Sequence, residues 1–202
     1  NLILAEGGKL SGNLLTILSG GNVISTGNSD IYAADLFEVS SSGNWTEGHS
    51  IVHMTGAGDV KAPQRTFFSF DLNAVGYDMT LSDNLLVSSN LIITSGNLLT
   101  IASSNVSSGN LWILSAGNLV QSDPSSNITV SQSANIAGSF VKSAGNFMMA
   151  TGNLVISGNV EHSGGALALV SGNMTIDGGS MLLGAGTTPD LGDLALTMKN
   201  HA

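Results

Sequence analysis

The feature that most constrains this chain is a short motif: a small residue, Asn, an apolar residue, any residue, and a second apolar residue. Gly-Asn occurs at 12–13, 21–22, 27–28, 43–44, 96–97, 109–110, 117–118, 145–146, 152–153, 158–159 and 172–173. Other small residues precede Asn84, Asn90, Asn105, Asn127 and Asn135. After many of these anchors two apolar residues stand two apart, as in Leu85/Val87, Leu91/Ile93, Leu111/Ile113, Ile128/Val130, Phe147/Met149, Leu154/Ile156 and Met174/Ile176. A spacing of two puts both side chains on one face of an extended strand. Gly and Asn tolerate positive φ, so each anchor turns the chain at small cost.

Single steps between anchors are uneven, but three steps sum to a steady value. Asn84 to Asn105 is 21 residues, Asn90 to Asn110 is 20, Asn97 to Asn118 is 21 and Asn105 to Asn127 is 22. The pattern predicts an all-β fold, a three-sided parallel β-solenoid with about 20–22 residues per coil. Rungs would stack at about 4.8 Å with inward apolar pairs forming a narrow core, and corner Asn residues would form ladders along the axis. An antiparallel meander of short strands is the alternative that the pattern leaves open. No segment holds a 3.6-residue period, so negligible helix is expected.

Of the residues, 42% are hydrophobic and only 9% charged. Recurrent Leu, Ile and Val argue against disorder, and no apolar run approaches the roughly 20 residues of a membrane-spanning helix. The net charge of −9, with five Lys and Arg, leaves no cationic surface for nucleic acid or anionic membranes. With no cysteine there is neither a disulfide framework nor a thiolate metal site. The chain starts at Asn1 without Met, which reads as a processed protein or a segment of something longer.

One domain spans 1–202, with two departures from the rhythm. An irregular aromatic-rich segment near 29–82 holds seven of the ten aromatics, namely Tyr32, Phe37, Trp45, Phe67, Phe68, Phe70 and Tyr77, together with Lys61 and Arg65. It reads as widened rungs or as a loop on the flank, or alternatively as a contact patch, since aromatics favour interface cores. At 187–202, Thr187-Thr188-Pro189-Asp190 and Gly192-Asp193 interrupt the pattern before one more strand, a cap or an inter-subunit strand. The apolar start Leu2, Ile3, Leu4 and the late Leu194, Leu196, Met198 are the candidate interface residues, because unpaired terminal rungs recruit further strands.

Material for chemistry is sparse. The close acid pairs Asp35/Glu38, Asp78/Asp83 and Asp190/Asp193 fall in turn-like text and read as solvated surface groups. His49 and His53, four apart on a strand, would stand about 13 Å from each other, too far to share an ion. Asp177-Gly178-Gly179 is an isolated fragment without the register of a Ca²⁺-binding repeat. No catalytic, cofactor-binding or metal residues are assigned, and no cofactor is expected. The sequons at Asn44, Asn105, Asn127 and Asn173 are possible N-glycosylation sites, at the number that composition alone would produce.

The run Gly43-Asn44-Trp45-Thr46-Glu47-Gly48 followed by Ser50-Ile51-Val52-His53-Met54, and the later 72–81 run leading into the Asn84 and Asn90 strands, resemble repeats of secreted bacterial and archaeal surface proteins. The resemblance, to right-handed parallel β-helices of adhesin and autotransporter-passenger type, implies a non-enzymatic extracellular or cell-surface protein. The leading expectation is a structural filament or stalk subunit whose partner is itself. A module binding surface glycans, as an adhesin or viral fibre, is the alternative.

Overall fold

A computed structural model of the chain describes residues 1–101, 103–185 and 187–199, with Leu194 in its backbone only. It is all-β, a parallel β-solenoid of about nine turns. Every ladder between named strands is parallel. Offsets between paired residues run from 18, at Ile51 on Ser69, to 23, at Leu111 on Ala134.

Three faces alternate along the chain. One stacks 85–87, 106–108, 128–130, 147–149 and 167–169. The second stacks 9–12, 30–33 and 51–54 and continues to Ser171–Asp177 and Asp193–Lys199, whereas the later halves of Lys9–Ile17 and Asp30–Val39 lie on the third. The third carries 36–38, 59–61, 79–81, 97–100, 118–121, 139–142 and 159–162 to Ser180–Leu183. Three strands, Thr66–Leu81, Leu85–Thr100 and Val106–Gln121, turn a corner without losing extended structure.

Inward positions follow the apolar-x-apolar phase. On the second face the core column Ile31, Val52, Phe70, Leu91, Leu111 is fully buried, and so is its companion Ala33, Met54, Leu72, Ile93, Ile113. Burying such a side chain contributes about 1.5–3 kcal/mol, and here each also rests on its equivalents one rung away. Ile113 and Ile156 face inward, while Trp112 and Val155 face outward.

The corners explain the Gly-Asn anchors. Asn105 donates from Nδ2 to Asn84 Oδ1 at 3.1 Å, Asn127 to Asn105 at 2.8 Å and Asn146 to Asn127 at 2.8 Å. Other corners carry Asn110 on Asn90, Asn118 on Asn97 and Asn173 on Asn153. At the turn between the second and third faces, glycines stack instead. A Cβ on Gly138 or Gly158 would collide with the carbonyl oxygen of Gly117 or Gly138 beneath it. Only a residue without a side chain lets these rungs approach.

The segment near 29–82 keeps the coil and is no flank loop. Its irregularity lies in rung length and core size: Phe37, Phe67 and Phe70 are fully buried, with Phe67 edge-on to both others at 5.4 and 5.7 Å. The late strand at 193–199 is one further rung, paired in parallel on Ser171–Asp177 from Asp193 on Ser171 to Lys199 on Asp177. Within 187–202, residues 200–202 lie outside the described residues.

Candidate functional surfaces

Among the described residues, the first and last rungs carry exposed apolar side chains. At the lower end, strands Leu2–Leu4 and Lys9–Ile17 pair only with the rung above them, among the described residues. Leu2, Leu14 and Leu18 are solvent-exposed there, and a concavity of about 450 Å³ opens between Leu2, Leu10, Leu15, Ile17 and Val23. At the other end Leu196 continues the column of Met174 and Met198 that of Ile176, in the last rung among the described residues. They are 53% and 73% exposed although they occupy core positions. Of the six candidate interface residues, Leu2, Ile3, Leu196 and Met198 are exposed in the first and last described rungs. Leu4 is buried beneath Ser25 of the next rung, and Leu194 is described only by its backbone pairing with Gly172.

A second feature interrupts the first face. Trp45 sits above Val23 in an inward column, and its indole meets Phe37 and Phe67 at 5.5 and 5.8 Å. The strand Asn44–Thr46 pairs with the rung below and not with Thr66–Leu81 above, and the indole N–H donates to the Thr66 carbonyl at 3.1 Å. A groove of about 330 Å³ opens there, lined by Trp45, Thr46, Glu47, Gln64, Arg65 and Thr66. Arg65 donates through Nη2 to the carbonyls of Ser41 and Gly43, leaving its Nε without a partner. Glu47 Oε2 is also unpaired, and burial raises the Glu47 carboxyl above its ordinary range, partly offset by the Ser88 hydroxyl. Gln64 holds a positive φ of 58°, costly for a residue with a side chain.

Inside the coil, the third face carries a polar column that the motif reading passes over. Thr100, Gln121, Lys142 and His162 stand in register at the second inward position, all essentially fully buried. Their task is visible in their bonds. Corner carbonyls turned inward need donors. Gln121 Nε2 supplies Ser126 O and Asn146 O, and Lys142 Nζ supplies Ala144, Gly145 and Gly164 at 3.1, 2.7 and 2.7 Å. Burial lowers Lys142 to about 8. Three carbonyls match the three N–H donors of an ammonium and favour that form against the burial. Both ring nitrogens of His162 lack a partner. Burial first, and the Lys142 charge second, hold His162 below its ordinary range.

On the outward side of the second face, His53 Nδ1 lies 3.0 Å from Asp71 and its Nε2 3.5 Å from Asp30, with Tyr32 stacked on the ring at 4.6 Å. The Asp71 hydrogen bond raises His53 above its usual range against some burial. His49 instead packs on Phe68 at a corner. Among the described residues no group of three or more His, Asp or Glu is placed to hold a metal ion. Of the sequons, Asn105, Asn127 and Asn173 each commit Nδ2 to a ladder, whereas Asn44 is exposed on a strand paired only with the rung below, beside the groove.

No protein-family model matches the chain, and no curated protein or solved structure matches it either.

Proposed function

We propose that this chain is a structural, non-catalytic extracellular or cell-surface protein, a rod that assembles into a filament or stalk by stacking rungs. The observation that carries the reading is the unbroken parallel stack of about nine turns, running from Leu2–Leu4 to Asp193–Lys199. Each rung buries its apolar columns on the next, so the same pairing extends the stack from copy to copy. The likeness of the 43–54 and 72–81 runs to surface-protein repeats supports an extracellular setting.

Negative-stain microscopy of purified protein tests the reading. One copy of about nine turns at about 4.8 Å per rung is a rod of about 43 Å. Linear arrays many times that length support assembly, and isolated rods of that length contradict it. A binding module is the second reading, favoured by the groove at Trp45.

A further inference from the structure

We propose that the groove between Trp45 and Arg65 is a saccharide-binding site, an inference that stands independently of end-to-end assembly. The opening lies where the strand Asn44–Thr46 is not paired with Thr66–Leu81, beside the strained Gln64 and the buried, unpartnered Glu47 Oε2 and Arg65 Nε. Its volume of about 330 Å³ is at the small end of ligand pockets, which begin at about 300 Å³. Its chemistry narrows the occupant. The only aromatic lining it is Trp45, whose ring face carries negative potential and suits the C–H face of a pyranose. Around it stand a guanidinium, a carboxylate, an amide and two hydroxyls, a mixture of donors and acceptors that matches sugar hydroxyls, which are both.

Other small ligands fit less well. A phosphate would face the Glu47 carboxyl and find the Arg65 Nη2 already committed to two backbone carbonyls. A lipid chain would meet five polar side chains and one aromatic. The Gln64 amide, held at the rim by a left-handed backbone, is the group most directly offered to a ligand hydroxyl.

The chain has two Trp residues, so Trp112→Phe leaves Trp45 as the sole indole reporter. In that background, emission is followed during titration with chitotriose, cellotriose, trigalacturonate and inorganic phosphate. The expected result is a saturable shift with at least one trisaccharide and none with phosphate. Gln64→Gly, which removes the amide and relieves the positive φ, should weaken that binding about tenfold, the loss of one polar pairing. Thr46→Val should do the same, with an unchanged far-UV circular dichroism spectrum in both variants. The proposal is overturned if no trisaccharide shifts the emission, if phosphate alone does, or if both variants bind like the parent. Sedimentation of the same samples reports assembly separately, so either reading can fail without the other.

Discussion

Asn105→Ala should cost the solenoid about 2 kcal/mol although the side chain is only half-buried. Three hydrogen bonds disappear: Asn105 Nδ2 to Asn84 Oδ1 at 3.1 Å, and the two donated to Asn105 Oδ1 by Asn127 N at 2.9 Å and Asn127 Nδ2 at 2.8 Å. The bond from Asn105 N to Asn84 Oδ1 survives, because it belongs to the backbone. A typical intramolecular hydrogen bond contributes about 0.5–1.5 kcal/mol net. Water reaches this corner, so a value toward the low end, about 0.7 kcal/mol per bond, applies and the sum is about 2 kcal/mol. Asn105→Asp separates the contributions. It keeps both acceptor bonds but turns an oxygen toward Asn84 Oδ1, and should cost about 1 kcal/mol at pH 7. That cost should shrink below about pH 4, where the introduced carboxyl regains a proton to donate. Urea titrations followed by far-UV circular dichroism give the free energies. The ladder has no energetic role if Asn105→Ala unfolds at the parent's urea midpoint with an unchanged slope.

Ile113→Asp should destabilise by several kcal/mol, since it buries a carboxylate in a fully buried column, whereas Trp112→Asp on the outward side should stay near about 0.5 kcal/mol or below. Equal losses in thermal melts would invalidate the strand phase. Gly158→Ala should cost at least about 1–3 kcal/mol, because the methyl has no space above the Gly138 carbonyl; a melt like that of the parent would contradict the close stacking. His162, depressed when folded, binds more protons unfolded, so its contribution is intact above about pH 6.5 and is lost as pH falls toward the folded pKa. His162→Leu should therefore gain on the parent by up to about 1.4 kcal/mol per pH unit below that point, and a pH-independent difference would refute the assignment. His53, raised by Asp71, has the opposite sign. Its contribution is full below about pH 6.5 and fades as pH rises through the folded pKa, so His53→Gln should hurt more at pH 6 than at pH 8.

The coil was legible because its determinants are local. Gly and Asn mark corners by their backbone freedom, and the sums from Asn90 to Asn110 and Asn97 to Asn118 are the ladder registers themselves. The phase that puts Ile113 and Ile156 inward follows from the same motif. Extended to Asn118 and Asn159, that motif already places Gln121 and His162 inside, and Lys142 stands three residues after Ser139 in the same way. Reading only apolar residues as inward hid them, because the need they answer, carbonyls turned into the core, is a property of the folded corner. The groove was not legible either. It depends on Trp45 meeting Phe37 and Phe67 from neighbouring rungs, contacts more than twenty residues apart in one direction and eight in the other.

Assembly through stacked rungs is the central functional claim, and sedimentation velocity across a concentration series tests it most directly. The parent is compared with a Leu196→Lys, Met198→Lys double variant, which places charge at two exposed positions of the last described rung. The account predicts that the parent's sedimentation coefficient climbs with concentration while the variant stays at the value of a single 20.5 kDa rod. A parent that remains a single rod at every concentration, or a variant that assembles as the parent does, would contradict it.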